Sequence, residues 1–364
     1  MAFTIQQLAT ALGAQAFGAL DLEVDGAAEP GLATSRDLAL AMSPKYADAI
    51  GAGRARAAMI APGMDWTLLG IEAAIVAPRP RYAMAGLTAA LDPGPQIAPG
   101  IHPTAVVDPT AAIGVDAAIG PFVVIGRGVV IGPRARIASH VSIAEGAVIG
   151  GDVLIHSGVR VGARAVLGAR VILQPNVIIG GDGFSFVTPE KSQVEAARES
   201  LGTAQPPVDA QSWTRIHSLG AVEICDDVEI GAGSAIDRGT VANTVIGARS
   251  KLDNLVHIGH NVQVGQDCLL CGQVGIAGSA RVGDRVVMAG QCGVSDNIVI
   301  GDDVVCGGAT KIFSNVPKGR IMMGSPAVKM DAHLEMYKSL RRLPRLLKTV
   351  AALQKAVSKS DQND

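Results

Sequence analysis

Aromatic residues are scarce in this chain of 364, at 3%, while glycine numbers 44. A conventional α/β enzyme of this size carries more rings, so the shortage points to a thin core of small and β-branched side chains. An excess of charge of one sign is missing too. The formal net charge is -2, which gives no overall excess for nucleic acid. There is no run of about 20 apolar residues to cross a membrane. The first residues, MAFTIQQLATALGAQ, lack the charged region and apolar stretch of a signal peptide. Together these absences predict a soluble cytoplasmic protein with no nucleic-acid partner and no stable membrane insertion. The five cysteines fit a reducing compartment and no disulfide framework.

What is present is a repeat. From Ile113, steps of six land on Ile119, Ile125, Ile131, Ile137, Ile143, Ile149, Ile155, Val161, Leu167, Leu173 and Ile179. Ile101 and Val107 extend the series backwards. The residue after each aliphatic is mostly small, as at Gly114, Gly120 and Gly126, and a second small or β-branched residue follows four places on, as at Val123 and Val129. This is the hexapeptide signature of a parallel β-helix. Each hexad predicts one face of a triangular coil, with the aliphatic inward and the small residue at the corner. Three hexads close a coil of about 18 residues, stacked at a strand spacing of about 4.8 Å. The repeat type implies a left-handed winding, against the usual crossover rule.

The period breaks after Ile179 and resumes at Ile224. The polar stretch 182–219 therefore reads as a loop ejected from the coil, on a face suited to binding. The hexads slip near Thr240, then run from Ile246 to Ile300. Residues 1–98 have no hexads and read as a small α/β domain, residues 99–325 as the β-helix, and residues 326–364 as a C-terminal helical extension. In that extension Leu343, Leu347, Val350, Leu353 and Val357 recur at helical spacing, and Pro344 is expected to break or kink the segment. A solenoid needs its last coil covered, so these helices serve either as an intrachain cap or, the favoured reading, as the contact of a homotrimer.

Seven histidines are present. His260, in KLDNLVHIGHNVQVG, follows the inward Ile258 and Gly259, which sets it just past a vertex and facing outward. Counting by 18 stacks it in one column with Gly278 and Asp296. That column offers a base, a backbone N–H with no side chain to shield it, and a polar residue; the N–H could face an oxyanion. An exposed or structural histidine and a turn glycine are the ordinary alternatives. His257 makes an HxxH with His260, but it falls elsewhere on the coil edge, and a metal would need further ligands. Cys268 and Cys271 form a CxxC without a second pair, so they read as small apolar residues. Arg341, Arg342, Arg345 and Lys348 form a basic cluster that is either a solvated helix face or a dock for an acidic partner.

The segments IHPTAVVDPTAAIG, IGGDGFSF, EIGAGSAIDRGTVANTVIG and DNLVHIGHNVQVG, in this order and around a loop, resemble the UDP-3-O-(3-hydroxyacyl)glucosamine N-acyltransferases over nearly the whole chain. The resemblance implies a homotrimer that moves a 3-hydroxyacyl group from acyl carrier protein to the 2-amine of a UDP-3-O-acylglucosamine, in lipid A biosynthesis. It implies no metal or cofactor beyond the phosphopantetheine arm of the carrier. By the same resemblance His260 is the general base, a role suited to imidazole near neutral pH. Gly278 supplies the oxyanion donor, and the basic cluster meets the carrier protein. The family's second histidine falls on Asn297, which can donate a hydrogen bond but cannot titrate. In SPKYADAI, Tyr46 matches the family's uracil-stacking aromatic, Ser43 stands where the family has Asn, and Leu40 replaces a second aromatic. Uracil is then expected between a ring and an aliphatic side chain.

Three other readings compete. An O-acyltransferase acting on UDP-N-acetylglucosamine would lack the long N-terminal domain. A γ-carbonic-anhydrase-like metalloenzyme would need three zinc histidines shared between subunits. A non-catalytic scaffold would tolerate loss of His260.

Overall fold

The computed structural model describes residues 2–200, 203, 212–324 and 327–360, without the side chains of 198 and 356–360. The chain divides into two compact units, Met1–Gln96 and Ile97–Asp364. The expected boundary at 325/326 and the side chain of Val357 lie outside the described residues.

The first unit is a five-stranded sheet in the order Gln15–Gly18, Ala73–Val76, Ala57–Ile60, Asp37–Ala41, Gly26–Ala28. Only its first pair is antiparallel. Helix α1 (Ile5–Ala11) opens with a reciprocal cap between Thr4 and Gln7, which satisfies two otherwise orphan N–H groups. Its Ile5 and Leu8 pack with Leu87 of α3 (Pro80–Leu91) on the sheet face formed by Leu38, Met59 and Ile75. The other face, with Ala39, Ala41 and Ile60, takes Ala47 of the short helix α2 (Pro44–Ala47). Strand alternation sends neighbouring residues to opposite faces, which is how so small a sheet buries both.

The second unit is a left-handed parallel β-helix. Two-residue strands such as Ala118–Ile119 stack into three parallel sheets of 9, 11 and 10 strands. Ile119 pairs with Ile137 and Ile137 with Ile155, one coil of 18 residues apart. Each hexad sends two side chains inward: the aliphatic, such as Ile125, and the residue two places before it, such as Val123, 1% and 0% exposed. Each fully buried Ile contributes about 1.5–3 kcal/mol, and the core is a continuous column of them.

The corners differ from the expectation. The chain turns two and three residues after the aliphatic, and the third carries φ near +60°, as at Arg134 and Asn261. A non-glycine residue there is strained by about 1–2 kcal/mol, offset by a bond between coils, such as Arg134 N–H to Val115 O at 2.9 Å. The small residue has another purpose. A Cβ on Gly132 would stand 2.6 Å from the Gly150 carbonyl carbon, so glycine lets successive coils close on each other.

The segment expected as a plain loop has structure of its own. Phe186–Val187 pairs antiparallel with Thr214–Arg215, and α4 (Gln193–Glu199) lies between them in sequence. Because this segment leaves the coil, Leu167 pairs with Ile224. The slip near Thr240 is a bulge: Ile236 pairs with Ile258 rather than with a residue 18 further on.

The C-terminus narrows the alternatives that the sequence left open. Pro344 does not break the helix; α5 (Met330–Ser360) runs through it. Proline removes one backbone bond, but strong helix formers flank it, and the carbonyl left over lies on an exposed turn at Leu340. Of the two readings of α5, the intrachain cap, the one not favoured, is excluded, for the described residues of the helix are exposed throughout. The end is closed instead by residues 313–324, where buried Val316 bridges to Ile300 and Met322 packs on the core. Among the described residues no helix is long and apolar enough to cross a membrane.

Candidate active site

His260 and Asn261 are the two turn residues of one corner, directly after Ile258 and Gly259. His260 thus stands at the vertex, not just past it. Inward Ile258 anchors the corner at 0% exposure, and the imidazole is half-buried on the outside.

Two glycines grip the ring. A Cβ on Gly278, one coil on, would lie 2.7 Å from both Cε1 and Nε2 of His260. A Cβ on Gly183, at the start of the ejected segment, would lie 2.7 Å from His260 Cβ. Gly183 is held by its N–H donating to buried Ser218 Oγ at 3.1 Å. The Gly278 N–H makes no hydrogen bond among the described residues, so the glycine against the ring keeps a free donor. Asp296 follows in the same column. It pairs with the Asn297 side-chain amide at 3.2 Å, and both line the space next to His260.

The other ring nitrogen meets the protein. Nδ1 lies 3.0 Å from Asn261 Oδ1 and 3.4 Å from Thr240 Oγ1. The Asn261 amide is itself held: Thr240 N–H donates to Oδ1 at 3.1 Å, and Nδ2 donates to Ala242 O at 3.0 Å. Its backbone N–H donates to buried Thr244 Oγ1 at 2.9 Å.

Two hollows meet at the imidazole. The first, about 450 Å³, runs over a glycine floor of Gly275 and Gly293, between Asp237 and His257 on one side and Lys311 and Phe313 on the other. Lys311 lies back across Gly293 and donates from Nζ to Gln291 O at 2.7 Å. The second, about 820 Å³, is roofed by Phe184, Phe186, Val194 and Trp213 of the ejected segment over the coil wall. Both are predominantly apolar, with a few polar groups at the histidine, the usual build of a site for a partly aliphatic ligand.

Sequence reasoning assigned nothing to Asp237, Asn261 or Gly183, although all three lie in the motif segments it quoted. Asp237 is 13% exposed, with His257 Nε2 at 3.7 Å from Oδ2. Burial pushes its carboxyl above the ordinary range, against the pull of His257 and His260. The neighbouring Arg238 donates to Asp182 Oδ1 at 2.7 Å, which ties the IDRG segment to the DGFSF segment. An acid directly after an inward aliphatic, the place that glycine takes after Ile230, Ile246 and Ile258, was the available signal. His257 and His260 open onto the same hollow, yet no three His, Cys, Asp or Glu side chains cluster as a metal site among the described residues. Cys268, Cys292 and Cys306 are buried core residues, and no cysteine is in a disulfide.

The remaining predicted residues lie elsewhere. In the first unit, Ser43 is the N-cap of α2 without a side-chain cap bond, Tyr46 is 50% exposed and Leu40 is half-buried. Arg341, Arg342, Arg345 and Lys348 are exposed on α5.

No family model matches this chain. Among curated proteins, the UDP-3-O-acylglucosamine N-acyltransferase of Ruegeria pomeroyi is 65% identical over 359 residues, 99% of each chain. The protein of the same name from Paracoccus denitrificans is 60% identical over 359 residues, 99% of this chain and 98% of that one. Among solved structures, an Arabidopsis UDP-N-acetylglucosamine acyltransferase aligns with a TM-score of 0.52 at 22% identity, over 62% of this chain and 71% of that one. That likeness is one of fold.

Proposed function

Because this chain belongs to the UDP-3-O-acylglucosamine N-acyltransferase family, we propose that His260 is the general base that moves an acyl group onto the 2-amine of UDP-3-O-acylglucosamine. The chain is an acyltransferase, and relatives matched from end to end do not favour the O-acyltransferase or metalloenzyme readings. The observation that carries the proposal is the imidazole edge at Nε2 against Gly278, whose N–H is free.

The amine nitrogen attacks the thioester carbonyl carbon. His260 Nε2 takes the proton that nitrogen sheds, and the Gly278 N–H donates to the oxygen as it gains charge. The C–S bond then breaks, and the imidazolium returns its proton to the departing sulfur. Asn297 donates to substrate at the rim of the second hollow. The donor is a 3-hydroxyacyl group on the phosphopantetheine of acyl carrier protein, which docks on Arg341, Arg342, Arg345 and Lys348. Tyr46 stacks on uracil, with Ser43 and Leu40 beside the nucleotide. The enzyme works as a cytoplasmic homotrimer in lipid A biosynthesis, with no resident cofactor.

The test is acyl transfer from 3-hydroxyacyl carrier protein to UDP-3-O-acylglucosamine. The His260→Ala variant loses about 10²-fold or more in kcat, the scale of a general-base contribution. Wild-type turnover by that variant would overturn the assignment.

A further inference from the structure

We infer that Asn261 is a positioning residue that locks His260 into one tautomer, with the proton on Nδ1 and the lone pair on Nε2, and that the bulge at Gly239–Asn243 exists to hold Asn261 in that orientation. The inference rests on the reading of His260 as the base, but its central claim concerns a proton that can be observed without turnover.

The chain of reasoning starts at the bulge. A regular hexad would carry the chain from Ile236 to the next inward aliphatic in six residues; here Ile246 takes that place. The extra residues turn two backbone groups toward the next coil: the Thr240 N–H and the Ala242 carbonyl, both bonded to the Asn261 amide. That amide has one orientation. Reversed, its NH₂ would face the Thr240 N–H, donor to donor, and its oxygen would face the Ala242 carbonyl, acceptor to acceptor. Two clashes of like groups exclude the flip, and the hydrogen-bond network is the proper basis for such an assignment. Oδ1 therefore faces His260 Nδ1 at 3.0 Å. A carbonyl oxygen only accepts, so Nδ1 must carry the hydrogen. Thr240 Oγ1, at 3.4 Å, is the more distant partner. In a neutral imidazole the other nitrogen then holds the lone pair, and that nitrogen is the one against Gly278.

The backbone fits the same purpose. Asn261 sits at φ +62°, a conformation that asparagine tolerates better than most residues. A Cβ on Gly239 would overlap the Ala242 carbonyl oxygen, so glycine is what lets the bulge turn tightly enough to present that oxygen. During transfer the Nδ1–H bond to Asn261 stays in place while Nε2 gains and then gives up a proton. The residue thereby steadies the imidazolium without entering the proton transfer.

The experiment uses the full chain with ¹⁵N-labelled histidine. Imidazole nitrogen shifts are read above the pH at which the ring is protonated, and His260 is assigned by its loss in His260→Gln. Wild type shows a protonated Nδ1 and an unprotonated Nε2. Asn261→Gly, which suits the positive φ and removes the acceptor together with its bonds to Thr240 and Ala242, loses that fixed pattern. Its kcat falls about 10- to 10²-fold, part of the general-base contribution, while KM stays within about twofold, as expected for a group that acts only in the transition state. Asn261→Asp keeps an acceptor at Nδ1 but sets its second oxygen against the Ala242 carbonyl, so it keeps the Nδ1–H signature and recovers only part of the rate that Asn261→Gly loses. A wild-type signal with the proton on Nε2 overturns the inference, and so does an unchanged spectrum in Asn261→Gly. The wild-type spectrum alone decides the tautomer if a variant fails to fold. Full turnover by His260→Gln beside a fixed Nδ1–H would instead remove the base assignment and leave the tautomer standing.

Discussion

At position 278 a single methyl group tests whether the histidine's place matters. Gly278→Ala must move the imidazole, because its Cβ would stand 2.7 Å from Cε1 and Nε2. A displacement of about 1 Å at a reacting group costs about 10²-fold in rate. We expect a loss of that size in kcat/KM, with a melting temperature close to wild type, since the side chain points outward. An unchanged rate would separate Gly278 from the reaction. In the first unit, half-exposed Tyr46 is expected to stack on uracil, so Tyr46→Ala weakens UDP binding roughly tenfold, within the range of aromatic stacking on a base. Titration calorimetry with UDP checks it, and unchanged affinity would count against the site.

Among the structural elements, the corners carry a feature that hexad counting passes over. Asp116, Arg134, Asp152, Arg170, Asp227, Arg249, Asp267, Arg285 and Asp303 all occupy the positive-φ corner position and alternate in sign up one edge. Arg134 pairs with Asp152, Arg170 with Asp227, Arg249 with Asp267 and Arg285 with Asp303, at 2.6–2.7 Å. Each rung is exposed, and single exposed pairs contribute little. Their order still penalises a coil stacked out of turn, which would set like charge on like. Asp267→Arg places a guanidinium between Arg249 and Arg285. We expect a lower melting temperature in about 0.05 M salt and partial recovery near 0.5 M, where screening shortens the reach of charge; a drop insensitive to salt would exclude the ladder. The pH dependence has a definite sign. Hydrogen bonds from the arginines hold the carboxyls of Asp152, Asp227, Asp267 and Asp303 below their ordinary range. Groups whose folded value is depressed stabilise fully above the unfolded value, about 4, and lose that contribution as pH falls through the folded value. Thermal stability should therefore hold to about pH 5 and fall below it.

For the molecule as a whole, the exposed apolar stripe of α5 is the feature that calls for a partner. Leu340, Leu343, Leu347, Val350 and Leu353 are each at least 42% exposed, and a helix with such a stripe buries it against something. Under the trimer proposal that something is the same helix in two other copies. The double variant Leu343→Asp/Leu347→Asp should shift the mass seen by light scattering from three chains towards one, with the β-sheet circular dichroism kept. A wild-type chain that runs as a monomer would overturn the trimer.

How much of this was legible beforehand follows from the range of the forces involved. The six-residue period is written into neighbouring positions, because each hexad must bury its own aliphatic; from Ile113 to Ile300 it announced the β-helix without any knowledge of contacts. The same counting put Gly278 above His260. It misread the corners, where a backbone bond to another coil outweighs local preference, and it left open a break at Pro344 that exposure to water makes unnecessary. It was silent on the arrangement around His260, because the partners there are far away in sequence: Gly183 beyond the ejected segment, Thr240 and Ala242 on a bulge one coil back, Asp237 one coil away. Side-chain hydrogen bonds of that kind depend on where the coils stack after an irregular insertion, and an insertion has no period to read.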